Sequence, residues 1–165
     1  MVDGSTPDWL PPLLLLEAFG GDWQKYLEAM YNYFSEDFKK NKPLFNGKQL
    51  QHKRYPLYDG KEATFWHIIS FGKNEAERTP DFRKCERIRW PKPVIDHSSD
   101  SRIKIWKNAR RKDEERILIW FEEIEYLVVL ADRKSYILFW TAYPVEREHN
   151  KVKLKKEYEE YRKKS

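Results

Sequence analysis

The stretch from residue 102 to residue 143 limits the fold more than any other part of the chain. It contains RIKIWKNAR, ERILIWFEE, EYLVVLAD and SYILFWTAY, separated by short polar turns such as RKDE and DR. β-Branched and aromatic side chains fit a pleated, half-buried surface and crowd a helix. The runs therefore predict strands near residues 102–109, 115–122, 126–132 and 135–142, paired as an antiparallel meander. YLVVLA and YILFW do not alternate, which is the pattern of strands covered on both faces. All six glycines lie at or before Gly72, so these turns lack Asn-Gly and do not by themselves set the register.

Such a sheet needs covering layers, and the rest of the chain supplies them. Leu13 to Phe19 predicts a short helix stopped by Gly20 and Gly21. Asp22 is placed to cap a second helix, in which Trp23, Tyr26, Leu27, Met30, Tyr31, Phe34 and Phe38 recur at the helical period. That helix should end by Asn41, before Pro43. Residues 41–62, with Gly47, Gly60, Pro43 and Pro56, read as irregular or short-strand structure on a basic surface. Thr64 would cap a short helix, FWHIISFG, closed by Gly72; a buried strand is the other reading. Residues 73–101 should hold one short strand around Arg87 to Trp90. In the charged tail, Leu154, Tyr158 and Tyr161 form a narrow apolar stripe on a closing helix. The expected fold is α+β: N-terminal helices, an antiparallel sheet of four to five strands, and a C-terminal helix. Residues 1–12, with three prolines and a Gly-Ser pair, read as a flexible arm, and residues 13–165 as one domain.

Composition narrows the function classes. At 165 residues the chain can bury one full core, and its 16% aromatic content argues against disorder despite 36% charged residues. A net charge of +5 points to a polyanionic partner. Cys85 is the only cysteine, which excludes an internal disulfide and Cys-rich zinc sites and fits a reducing cytoplasm. PPLLLLEAF is too short to span a bilayer and lacks a basic leader, so neither an export signal nor a membrane segment is expected. The four histidines, His52, His67, His97 and His149, show no metal-ligand spacing. Neither a phosphate-binding glycine loop nor a G-x-S-x-G elbow occurs. No metal or cofactor is expected.

What remains is a metal-free set: His67, the cations Arg87, Arg89, Lys104 and Arg116, and the hydroxyls of Thr141 and Tyr143. Such a set suits RNA, which carries its own nucleophile in the 2′-OH. The enzyme must accept that proton, return one to the leaving 5′-oxygen, and hold cations where charge builds on phosphorus. Histidine, with a free pKa of about 6.5, is suited to both transfers. Thr141 and Tyr143 are two apart on a strand and should share one face, with Trp140 and Ala142 on the other and Pro144 ending the strand. The same residues also admit a purely structural reading. His67 sits between Trp66 and Ile68, and Arg87, Arg89 and Lys104 alternate with isoleucines as on any half-exposed strand.

FWHIIS, CERIRWP, YLVVLADRKSYILFWTAYP and the following EREH together resemble phage- and mobile-element-borne members of the barnase–EndoU–colicin–RelE (BECR) nuclease superfamily. The resemblance covers roughly Thr64 to His149. It implies N-terminal helices followed by an antiparallel sheet that bears the site. The EndoU branch is similar in closing its site with a strand ending Thr/Ser-x-Tyr, here Thr141-Ala142-Tyr143. In that branch histidines transfer the protons and a lysine steadies the phosphate, which implies His67 and Lys104 here. Arg87, Arg89, Arg116 and His149 would then contact the nucleic acid. One departure is that His67 has no second histidine close in sequence, so His149, His97, an arginine or a tyrosine must take the other proton role. The implied activity is that of a metal-independent endoribonuclease leaving a 2′,3′-cyclic phosphate. It would serve as a toxin or phage-conflict effector, silenced by an inhibitor protein. A non-catalytic nucleic-acid-binding module and a mobile-element interaction protein are the alternatives.

Overall fold

The computed structural model describes residues 6–74, 77–111 and 114–164. The four apolar runs form the strands they predict: β5 (Ile103–Arg111), β6 (Glu114–Phe121), β7 (Tyr126–Asp132) and β8 (Ile137–Pro144). They pair antiparallel in chain order.

Two further strands extend the sheet beyond the expected four to five. β1 (Leu44–Phe45) and β2 (Lys48–His52) form a hairpin, and β2 lies parallel to β8, so the sheet is mixed and six-stranded in the order β1-β2-β8-β7-β6-β5. The hairpin turn is Asn46-Gly47, both residues at positive φ, which matches the twist of the flanking strands. A separate two-stranded ladder joins β3 (Ser70–Phe71) to β4 (Thr79–Pro80).

Both faces of the main sheet are covered, as the unbroken apolar runs require. On one face Ile119, Val128, Leu130 and Phe139 pack against Tyr26, Met30, Phe34 and Phe38. These belong to α1 (Trp23–Ser35) and the single π-type turn Glu36–Lys40 that continues it. Asp22 caps α1 by accepting from the Lys25 amide at 3.2 Å. The opposite face carries Trp106, Leu118, Trp120, Leu127 and Val129 beneath Leu154, Tyr158 and Tyr161 of α5 (Glu148–Lys164). α5 buries no residue of its own completely. It is fastened by hydrogen bonds from Trp106 Nε1 (2.9 Å) and Asn108 Nδ2 (2.6 Å) to Glu157, and by a Lys151–Glu125 ion pair.

The expected strand at Arg87 to Trp90 is not a strand. Asp81 caps α3 (Phe82–Glu86), accepting from the amides of Arg83 and Lys84, and Pro91 opens α4 (Pro91–Asp96) at a position where its missing N–H costs nothing. The alternation of Ile88 and Trp90 with arginines is therefore that of a turn between two short helices, with both apolar side chains buried. FWHIIS is largely helical: α2 spans Ala63–Ile69, with Glu62 rather than Thr64 at the N-cap position. At the N-terminal end, Trp9 stacks on His97 at 4.3 Å and Trp90 Nε1 donates to the Pro11 carbonyl at 2.9 Å. Residues 6–12 of the expected arm thus lie against the body, and residues 1–5 fall outside the described residues. Among the described residues no helix is long and apolar enough to cross a membrane.

Candidate functional site

Strand β8 has two different edges. Its first half pairs with β2, Leu50 opposite Ile137 and His52 opposite Phe139. Beyond Phe139 no ladder with β2 continues, and α2 packs beside β8. The strand also changes register here. Val129 faces Thr141 while Leu130 faces Phe139, so Trp140 is the extra residue of a β-bulge. The bulge corrects the expected alternation: Trp140 packs on the α5 side, as does Tyr143, and only Ala142 points to the other core.

Trp140 is the meeting point of several residues singled out in the sequence. The His67 imidazole lies edge-on to its ring, with centroids 6.3 Å apart. The Arg116 guanidinium lies over the ring at 4.1 Å. Thr141 follows directly, and Tyr143 is three residues further along, about 10 Å at strand rise. Tyr143 lines a crevice of about 270 Å³ between the strand end and Asn150, Lys153 and Leu154 of α5.

Cations in and around α3 hold this end of the molecule in place. Lys84 Nζ donates to the carbonyls of His67 (3.1 Å) and Ser70 (2.9 Å), and Arg78 donates to the carbonyls of Ser70 and Gly72. The bonds to His67 and Ser70 satisfy carbonyls that the C-terminus of α2 leaves without intrahelical partners. Burial lowers the Lys84 pKa. Arg83 pairs with Glu146 just beyond β8. Arg87 donates to the Arg83 carbonyl at 2.9 Å and lies over Trp90 at 5.1 Å, and burial lowers its pKa too.

The remaining expected site residues lie elsewhere. Lys104 Nζ is 2.6 Å from Glu122 and sits over Trp120 and Tyr158, beneath α5. Arg89 lies over Tyr33 at 4.6 Å, lining a different cavity of about 420 Å³ with Trp9, Asp37 and His97. There burial pushes the Asp37 carboxyl up to about 6, against the pull of Lys92 and Arg89. His149 is exposed on the first turn of α5. Among the described residues no group of three or more His, Cys, Asp or Glu could hold a metal ion.

Sequence reasoning missed a polar cavity, an opening of about 460 Å³ lined by Tyr31, Lys39, Lys42, His52, Arg54, Tyr55, Leu57, Gly60 and Glu62. The loop that forms its wall is pinned to the start of α2. Lys53 N donates to Thr64 Oγ1 (2.7 Å), Thr64 N to the Lys53 carbonyl (3.0 Å) and Ala63 N to the Arg54 carbonyl (3.2 Å). Glu62 turns its carboxylate away from capping the helix and inward. It accepts from the Tyr31 phenol, lies 3.5 Å from Lys39 Nζ, and meets His52 Nε2 at 3.3 Å. Burial pushes Glu62 up, but the Tyr31 bond, Lys39 and His52 outweigh it and hold the carboxyl below its ordinary range. Burial also lowers His52, overriding the upward pull of Glu62. The two side chains are only 5% and 8% exposed, and neither His52 Nε2 nor Glu62 Oε2 makes an aligned hydrogen bond. A signal was present in the sequence: HKR, followed ten residues on by a glutamate at a helix start.

Compared with known proteins, the chain matches no family model, no curated protein and no solved structure.

Proposed function

We propose that the chain is a metal-independent endoribonuclease whose site lies along the second half of β8. One observation carries this reading: His67, Arg116 and the Thr141–Tyr143 segment converge on Trp140, at the stretch of β8 that α2 rather than β2 flanks. In the reaction, the ribose 2′-oxygen attacks phosphorus and loses its proton to a base. The bond to the 5′-oxygen breaks, and that oxygen leaves with a proton from an acid. The products are a 2′,3′-cyclic phosphate and a free 5′-hydroxyl. His67 is the proton-transfer group, and a positioned group of this kind contributes about 10²–10⁴-fold. Arg116 and Arg87 supply positive charge toward the phosphoryl oxygens. Thr141 bonds a phosphate oxygen or the nucleoside, and Tyr143 stacks on a base or orients the ribose. Trp140, already faced by a guanidinium, is a further stacking surface. The role first given to Lys104 passes to Arg116 on position: both are ion-paired, Lys104 with Glu122 and Arg116 with Glu114, but Arg116 lies over Trp140 and Lys104 lies beneath α5.

Assignment to the BECR superfamily belongs to the same proposal, as does an effector role silenced by an inhibitor protein. Helices before the sheet and Thr-x-Tyr at the end of the last strand support the assignment; the parallel β2–β8 pair departs from a pure antiparallel meander. The test is incubation of purified protein with total RNA in EDTA, followed by chemical mapping of the ends. Cyclic phosphate termini are the expected result. Binding that weakens steeply with salt but leaves the RNA intact would replace the enzyme with a nucleic-acid-binding module. Neither binding nor cleavage would favour a protein-contact role.

A further inference from the structure

We propose that the cavity over His52 and Glu62 is a separate binding site for a nucleoside phosphate. Its charge, size and lining each point to that class of ligand.

Lys39, Lys42 and Arg54 line the opening against the single carboxylate of Glu62. With His52 neutral, as its lowered pKa implies, two positive charges are left over. A phosphomonoester carries about −1.5 to −2 near pH 7, so the two balance. A divalent cation would meet three cations and one carboxylate already bonded to Tyr31, which is the wrong sign of site.

Volume separates a nucleotide from a bare anion. About 460 Å³ falls in the range of small-molecule sites and far exceeds what one phosphate fills. The remaining space is walled by Leu57 and by Tyr55, a residue that is 70% exposed. An exposed tyrosine beside a cluster of cations is what a stacked base and its phosphate require.

The floor is polar and incompletely satisfied. His52 and Glu62 are buried side by side, yet Nε2 and Oε2 meet only each other, at 3.3 Å and without alignment. Buried polar atoms usually find partners, so this poorly satisfied pair beneath the cavity is where a change of charge above it would be felt. An anion arriving there also favours the protonated imidazole, so binding should draw a proton onto His52.

The site lies at the opposite end of α2 from His67. Glu62 precedes the helix and His67 sits in its last turn, about 7–8 Å further along the axis. The lining of the cavity includes none of His67, Arg116, Trp140, Thr141 and Tyr143, so the two sites are built from different residues. The proposal does not depend on cleavage, since it concerns occupancy alone.

The experiment is an NMR titration that follows the His52 ring signals of the full chain at constant pH. One arm adds the four nucleoside 5′-monophosphates and the other adds inorganic phosphate. Saturable shifts with nucleotide, and a rise in the His52 pKa on binding, are expected. Phosphate alone should bind about tenfold more weakly or worse, for want of a stacked base. Tyr55→Ala should bring the nucleotides down to the affinity of phosphate, and Arg54→Ala should weaken them by about tenfold. Both side chains are exposed, so neither change disturbs the core. His52 signals that ignore millimolar nucleotide would overturn the proposal. So would equal affinity for phosphate and nucleotide, or nucleotide binding untouched by both substitutions.

Discussion

His52 and His67 stand near opposite ends of one seven-residue helix, and their surroundings differ in kind. His52 is held in the interior against Phe34 and Glu62, with its proton disfavoured by burial. His67 is half-buried at the side of the sheet, its ring against Trp140 and its carbonyl held by Lys84. A buried carboxylate whose partners are a phenol, a lysine and an imidazole makes stability depend on all of them being present. On the reading proposed above, the half-buried imidazole on the pinned helix end is the one that exchanges protons with RNA. The contrast teaches that two histidines near the same short helix can have different surroundings, one closed in against a carboxylate and one at the side of the sheet, which their sequence context does not distinguish.

The largest expected effect on stability tests the buried end. Glu62→Ala strands His52 and takes an acceptor from Tyr31 and Lys39, and should cost about 3 kcal/mol in urea unfolding. His67→Ala should cost clearly less. Equal losses would remove the distinction. pH sharpens the same comparison. The folded His52 pKa lies below the ordinary 6.5, so below that pH the unfolded chain binds a proton that the folded chain refuses. Stability therefore holds above pH 6.5 and falls as pH drops through the folded value. Glu62, also depressed, adds a second loss below about pH 4.5. Unfolding curves collected between pH 7 and 5 should show the first loss in the wild type and a flatter profile in His52→Gln.

A smaller effect belongs to the strand end. Tyr143→Ala should lower cleavage about tenfold, the contribution of one stacked base, and Tyr143→Phe should lower it less. Equal losses in initial-rate assays would move the role from the ring to the hydroxyl. The smallest effect is expected at Lys104. Its pair with Glu122 is partly exposed, so Lys104→Ala should change stability by less than about 1 kcal/mol and cleavage by no more than about twofold. A hundredfold loss of activity would return the phosphate-steadying role to this lysine.

Much of the fold was legible because its signals are local. The four apolar runs declare their strands, Asp22 its cap, and Leu154, Tyr158 and Tyr161 the inner stripe of α5. The parallel partner β2 was not. KQLQH buries only Leu50 fully, and nothing in five mostly polar residues shows that they pair with a strand more than eighty positions away. The Asn46-Gly47 hairpin did carry a local signal, masked by the prolines around it. At the site, His67 lies against Trp140 of the last strand, while Lys104 lies apart from it on Glu122. The bulge that turns Trp140 to the same side as Tyr143 depends on a register shift that no residue type announces. The His52–Glu62 pair was hidden because it forms only when β2, α1 and the start of α2 meet.

The most direct test of the central claim is the rate at which wild type and His67→Ala cut the same RNA in EDTA, with binding measured in parallel. The account predicts a loss of about 10²-fold or more in rate, nearly unchanged affinity, and cyclic phosphate ends from the wild type. A His67→Ala chain that cuts as fast as the wild type would contradict it.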